Sequence, residues 1–434
     1  MEVIEISPAA LTDALEPLER AVARRFPQDE ALQTLFHRCL TDTLQKAPRR
    51  LPNGHTYVIT GDIPAMWLRD SAAQMRPYLL AARGSAALGE LLAGLSRRHF
   101  FYLGLDPYAN AFNAEPTGGI WQTDETVMTP WVWERKYELD SLCYPLQFAY
   151  LLWKNTGRTD HLDAAFWAGA AKVLDVMETE QFHEERSAYR FQRRDCPPSD
   201  TLAREGLGAR VRGGCGLIWS AFRPSDDACT YGYLIPANMF AVAVLEQLAA
   251  LARAAGGGEK LAVRAQALGA QVRAAIEALA VTEHPQYGRV YAYETDGFGH
   301  FLLQDDANVP NLLAMEYLGY RPADPVAAAN TRRMVLSRAN PLYFEGTAAR
   351  GLGSAHTQPG YIWHLALAMQ GLTATDDAEK QALLAALVRT AAEGRMHEAF
   401  DADAPECFTR PWFSWADALF CEFVLQMCGL EVQQ

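Results

Sequence analysis

Three carboxylates in this chain are best suited to chemistry. Asp226 and Asp227 stand side by side in Phe222–Tyr233, just ahead of an apolar helical run. One of them can cap that helix and stay ionised. The other, held in an apolar pocket, takes a raised pKa and keeps a proton near neutrality, as a general acid must. Glu398 lies in Met-His-Glu-Ala-Phe, residues 396–400, off any evidently solvated run. A carboxylate among aromatics, oriented by Arg410, can act as a base. Each assignment has a structural alternative: double capping by the two aspartates, and a buried Glu398–Arg410 pair.

These residues fall in two of six aromatic and polar clusters, each expected to precede an apolar helix. The clusters are Thr60–Asp70, Trp121–Asp140, Trp219–Tyr233, Gln304–Asn311, His356–His364 and His397–Asp417, and they hold eight of the ten tryptophans. Sugar C–H groups pack on indole faces while hydroxyls need fixed acceptors, so aromatics beside carboxylates suit a sugar pocket. Asp62 with Gly61 forms a turn, and Pro64 suits the first turn of a helix. Trp67, Arg69 and Asp70 crowd that helix start, and since adjacent Arg69 and Asp70 cannot pair simply across a helix face, one or both should point into a cavity. Trp121 and Trp133 are candidate sugar platforms. Glu134, Lys136 and Glu138 read equally well as pocket groups or a solvated run. Asp305, Asp306 and Asn308 read as caps, with Asp306 and Asn308 also pocket candidates. His356, Gln358 and His364 complete the set, His364 equally as a core histidine.

Six loops need elements that bring them together. Ala31–Ala47, Ala86–Arg98, Asp160–Thr179, Glu259–Ala280, Pro325–Arg338 and the stretch from Asp376 read as amphipathic helices. Asp376 and Glu379 have the spacing of a reciprocal cap. The runs after the clusters, such as Leu234–Leu245, Tyr361–Met369 and Ala418–Cys428, are apolar all round and belong inside. Buried helices alternating with amphipathic ones, joined by short connections, predict an all-α (α/α)6 toroid of six helical hairpins. Ala188–Arg193 and Arg289–Glu294 read as short strands or hairpins on the loops. No linker divides the chain, so one catalytic domain over 1–434 is expected.

Half of the 434 residues are apolar and the net charge is −13. Acidity disfavours nucleic acid and anionic membranes and suits a neutral substrate. Met1–Phe26 carries five acidic residues, so no signal peptide is expected. No stretch approaches the roughly 20 uninterrupted apolar residues of a membrane span. Eight scattered cysteines read as reduced, mostly buried thiols of a cytoplasmic protein. No His-Glu-x-x-His, zinc spacing, EF-hand, phosphate loop, dinucleotide or nucleophile-elbow motif occurs. Hydrolysis by two carboxylates, without metal or cofactor, is the economical reading.

At Ile59–Gln74, Trp121–Tyr144, Phe222–Asn238, Asp305–Tyr320, His356–Trp363 and Met396–Phe420 the chain resembles glycoside hydrolase family 125. The resemblance implies an (α/α)6 fold and metal-independent, inverting, exo-acting removal of terminal α-1,6-linked mannose. It puts the acid at Asp226 or its neighbour Asp227 and the base at Glu398. Asp62, Trp67, Arg69, Asp70, Asp306, His356 and Gln358 become candidates for gripping the terminal sugar. The expected partner is a mannose-containing oligosaccharide or N-glycan fragment, met by a monomer or weak homo-oligomer.

An inverting pair stands roughly 6.5–9.5 Å apart so that a water fits between base and sugar. Two rivals make different demands. A sugar isomerase or epimerase needs His356 and His364 astride the sugar with Glu398 remote. A non-catalytic carbohydrate-binding scaffold needs the tryptophans but not the carboxylates.

Overall fold

The computed structural model describes residues 8–434, with side chains from Asp13 onward. The six expected amphipathic helices are present as Glu30–Lys46, Ala86–Leu105, Ala164–Glu180, Glu259–Leu279, Pro325–Val335 and Asp377–Thr390. Their apolar faces have helical spacing; Glu259–Leu279 buries Ala262, Ala265, Leu268, Val272 and Ile276. Most start at a side-chain cap. Asp29, Ser85, Asp163, Asp324 and Asp376 each accept a hydrogen bond from a first-turn N–H. The Asp376 cap is not reciprocal, because Glu379 turns away to Arg332 and Gln370, 2.8 and 2.7 Å from its Oε1.

Five of the six expected buried helices form: Leu68–Met75, Leu139–Thr156, Ile235–Ala255, His364–Leu372 and Ser414–Met427. Leu68–Met75 packs on Leu139–Thr156 and on Ser414–Met427, which packs on His364–Leu372, while Leu139–Thr156 continues the series to Ile235–Ala255. Outside them, Ala86–Leu105 packs on Ala164–Glu180 and that helix on Glu259–Leu279. The cluster Gln304–Asn311 leads into no helix; residues 313–319 are a series of turns. Side chains replace helical pairing there. The Asp305 carboxylate accepts from Leu312 N at 2.8 Å and Leu313 N at 3.1 Å, and Asn311 accepts from Ala314 N at 2.9 Å.

None of the five buried helices has a side-chain hydrogen bond at its N-cap, which is Trp67, Glu138, Leu234, Trp363 or Phe413. Three start directly from a short strand: Met66–Trp67, Tyr233–Leu234 and Tyr361–Trp363. Other loops then serve their first N–H groups, as in Leu68 N to Asn110 O (3.0 Å) and Ile235 N to Tyr293 O (2.9 Å). The fold is therefore mostly helical rather than purely so. Seven small sheets of two or three strands lie among the described residues. The predicted Ala188–Arg193 strand is Gln192–Arg193, paired with Asp124–Glu125 rather than in its own hairpin. Gly288–Tyr291 forms the second predicted hairpin with Val281–His284.

One contiguous apolar core extends from Leu15 to Val432. Ile235–Ala255 has the length and composition of a membrane span, though Asn238, Glu246, Gln247 and Arg253 interrupt its apolar run, and most of it is buried within the protein. All eight cysteines are free; four are buried and Cys407 is exposed.

Candidate active site

A cavity of about 700 Å³ opens where the uncapped helix starts converge. Trp67, Trp363, Phe413 and Trp415, from three of those starts, give it an aromatic wall. Asp226, Asp227, Glu398, Asp62, Arg69, Asp70, Trp121, Asn308, His356 and Arg410 also line it.

Glu398 directly precedes strand Ala399–Asp401, which pairs with Tyr361–Trp363. Its backbone is pinned on both sides. Met396 N donates to Asp417 Oδ1 at 2.8 Å, and Ala399 N to Thr409 Oγ1 at 3.0 Å. The neighbouring His397 ring stacks on Phe408 with centroids 3.6 Å apart. The Glu398 carboxylate is 8% exposed, accepts from Thr409 Oγ1 at 3.0 Å and has Arg410 Nη1 3.6 Å away. Arg410 also donates to Asp62 Oδ1 (2.9 Å from Nε) and to Thr60 O (2.7 Å), with its own backbone at φ +50°. Gly61, at φ +72°, lies where a side chain would strike the Trp412 carbonyl, so only glycine lets this turn close on the base loop.

Asp226 and Asp227 cap nothing. They sit in a tight turn, with Asp226 N donating to Arg223 O at 2.9 Å and Arg223 N to Asp227 O at 2.8 Å. Asp226 has φ +65°, a conformation uncommon outside glycine and found at functional sites. Lys136 holds it there, its Nζ donating to the Asp226 carbonyl at 2.7 Å. Asp227 is nearly buried and accepts from Ser225 Oγ at 2.8 Å. The Asp226 side chain is 27% exposed.

Arg69 organises this corner. It stands 2.6 Å from Glu138, 3.2 Å from Asp140, 3.4 Å from Asp70 and 3.7 Å from Asp226. Arg69 and Asp70 both point into the cavity, as expected of adjacent residues that cannot pair across a helix face, yet they also approach to 3.4 Å because a buried guanidinium draws in the carboxylates within reach. Burial pushes Glu138 well above the usual carboxylate range and Asp140 to about 6, although Arg69 opposes both shifts. Burial also raises Asp70, against the pull of Arg69 and Arg410, which places Asp70 between the two carboxylate corners. Burial acts upward on Asp226 too, but Lys136, Arg69 and a hydrogen bond from Glu138 outweigh it and hold Asp226 below its ordinary value. Asp226 is thus held low, where an acid in an apolar pocket was expected to be raised.

Three predicted site residues lie off the cavity wall. Trp133 packs behind Trp67 against Ala65 and Ala111. Asp306 is fully buried and accepts from Asn308 N, Asn308 Nδ2 and Ser354 Oγ at 2.9, 3.0 and 2.7 Å, so it positions Asn308 from behind. Gln358 is exposed on the loop before Tyr361. Trp121 reaches the cavity from its rim and is 51% exposed. Sequence reasoning missed Arg193, Ser199 and Asp200. Arg193 bridges Asp124 (2.6 Å), Asp200 (2.8 Å) and Glu134 (2.9 Å), closing one side of the cavity. The only sequence signal was its place in a predicted strand. His364 is buried, with His397 N donating to its Nδ1 at 3.0 Å, so no histidine pair brackets the cavity.

A cavity walled by indole rings and furnished with carboxylates at separate corners has the parts a glycoside hydrolase needs. Residues 29–425 match the family described as metal-independent alpha-mannosidase, GH125. The chain belongs to this family. A Streptococcus pneumoniae structure from a study of metal-independent alpha mannosidases and the processing of N-linked glycans is 45% identical, with a TM-score of 0.93. The match covers 96% of this chain and 99% of that one, which was solved as a non-productive substrate complex with α-1,6-mannobiose. The meiotically up-regulated gene 157 protein of Schizosaccharomyces pombe is 38% identical over 422 residues, 92% of this chain and 83% of its own length. A wild-type glycosidase at 13% identity and TM-score 0.53, covering 99% of this chain and 100% of its own, shares the fold alone.

Proposed function

We propose that the protein is an exo-acting α-1,6-mannosidase that inverts the anomeric carbon, on a helix series that closes as an (α/α)6 toroid. The observation that carries this reading is that Asp226 and Glu398 open onto one aromatic-walled cavity from separately built corners. Asp226 gives a proton to the glycosidic oxygen. Glu398 takes one from water as that water attacks the anomeric carbon and the C–O bond to the leaving sugar breaks. Thr409 and Arg410 hold the Glu398 carboxylate and aim it. Asp227, tied to Ser225, serves with Asp62, Arg69, Asp70, Asn308 and His356 to grip the terminal mannose. The Arg193 bridge supports exo action by limiting the room beyond that sugar, and Trp121 offers the next unit a platform at the rim. The α-1,6-mannobiose bound by the Streptococcus pneumoniae relative supports the linkage, and mannose-containing oligosaccharides or N-glycan fragments are the substrate class.

Proton NMR of the protein with α-1,6-mannobiose and a chelator tests the reading. β-Mannose should appear first and mutarotate to α. First appearance of α-mannose would reject inversion, and absence of mannose would reject the activity.

A further inference from the structure

The acid corner holds more carboxyl groups than its cations balance. Glu138, the residue before helix Leu139–Thr156, lies behind the cavity wall. Its Oε2 accepts from Arg69 Nη1 at 2.6 Å and from Ser141 Oγ at 2.8 Å. Its Oε1 is buried and receives no N–H or hydroxyl hydrogen bond, and the same is true of Asp226 Oδ1. The two carboxyl groups close on the same guanidinium, with Glu138 Oε2 2.6 Å from Arg69 Nη1 and Asp226 Oδ1 3.7 Å from Arg69 Nη2. Two carboxyl oxygens that lack other donors and meet in a buried place are satisfied by a proton between them.

We propose that Glu138 and Asp226 share one proton, and that Glu138 is the positioning residue that keeps this proton available to Asp226 for delivery to the glycosidic oxygen. The inference rests on Asp226 being the acid. Charge around the pair supports it. Arg69 and Lys136 face it, and so do the carboxyl groups of Asp70, Glu134 and Asp140. His356 faces it from the same cavity lining, and Asp227 adjoins on the same turn. Ionising both members of the pair sets five carboxylates against Arg69, Lys136 and the Arg193 that meets Glu134, and Lys136 and Arg193 are also engaged by Asp200. The upward shift of Glu138 and the downward shift of Asp226 agree with a proton resting on the Glu138 side of the pair. In turnover the proton leaves through Asp226 as the C–O bond breaks. The pair is then fully ionised, Glu398 holds the proton taken from water, and solvent exchange restores both.

Glu138→Gln tests this, because the amide keeps an acceptor for Arg69 and a donor for Asp226 but removes the proton and the like charge. The basic limb of kcat/KM for α-1,6-mannobiose should move down by at least about one pH unit, a tenfold or larger loss above the limb. Turnover of 2,4-dinitrophenyl α-mannoside, whose leaving group needs no proton, should change less than about threefold. An unmoved limb, with both substrates slowed equally, would overturn the proposal and make Glu138 purely structural. Asp226→Asn separates the two levels. Near-normal mannobiose turnover in that variant rejects the acid itself, whereas its loss beside an unmoved Glu138→Gln limb rejects only the shared proton. Infrared titration needs no folded Gln variant. The wild-type protein should show a buried carboxyl protonated at pH 7 whose band shifts in Asp226→Asn, and absence of that shift overturns the pairing.

Discussion

The two carboxylate corners of the cavity are built by opposite means. Glu398 is placed by backbone: a strand pairing, two N–H anchors on its flanks and one hydroxyl bond from Thr409. Its single nearby cation, Arg410, is shared with Asp62. Asp226 is placed by charge, its left-handed backbone held by the Lys136 ammonium and its carboxyl set among Arg69, Glu138 and their neighbours. The contrast follows from the chemistry. A base needs to be aimed, which a few hydrogen bonds and one cation achieve. An acid needs a proton near neutrality, which burial and surplus negative charge supply.

The sharpest way to break this comparison is to remove each carboxylate and vary the leaving group. Glu398→Gln should lower kcat by about 10³-fold or more for every leaving group with KM little changed, since water activation is required throughout. Asp226→Asn should lower kcat for α-1,6-mannobiose by about 10²–10³-fold, with most of the loss recovered on 2,4-dinitrophenyl α-mannoside. Steady-state kinetics on the two substrates decide it. The same leaving-group response in both variants would mean that the corners do not have distinct roles.

The base corner was the more legible in sequence, and the reason is physical. Glu398, Arg410 and Asp417 lie within one cluster, so local order carries most of their geometry. The acid corner gathers residues from 69, 136–140 and 226, and no local signal says that Arg69 meets Glu138 and Asp140. Tryptophans misled for a related reason. Val132–Glu134 is a strand, so alternate side chains face opposite ways. Glu134 enters the cavity and Trp133 turns away from it, whereas Trp133 was read as a platform and Glu134 left undecided. The outer helices were readable by their amphipathic spacing, and five of the six close their own start with a side chain. The inner helices were readable by apolarity alone, until Asp305 and Asn311 took over the backbone N–H groups that a sixth would have used.

Arg410→Lys sharpens the comparison at middle strength. The guanidinium spans Asp62, Thr60 O and Glu398 at once, and a single ammonium cannot hold all three. A loss of roughly 10–100-fold in kcat/KM is expected, with the leaving-group dependence of the wild type preserved. A leaving-group dependence that changed instead would tie Arg410 to the acid corner.

The smallest expected effect lies beneath the base. Asp417 is fully buried, accepts from Met396 N and from Cys39 Sγ (3.1 Å), and leaves Oδ2 without a partner. Burial raises it from 3.8 to about 7, against the hydrogen bond from Met396. A carboxyl raised in the folded state binds more protons there than when unfolded. Its contribution therefore favours folding below the unfolded pKa and is lost as pH climbs toward the folded one. The linkage amounts to at most about 4 kcal/mol between pH 4 and pH 7, on the order of 2–4 °C in Tm for a chain of this size. Asp417→Asn keeps an acceptor for Met396 N but cannot ionise, at the expense of burying an amide donor where Oδ2 has no partner. Its Tm should start below the wild type near pH 5 and gain on it steadily toward pH 8. A Tm difference that stays constant across that range would show that the anchor of the base loop does not titrate with folding.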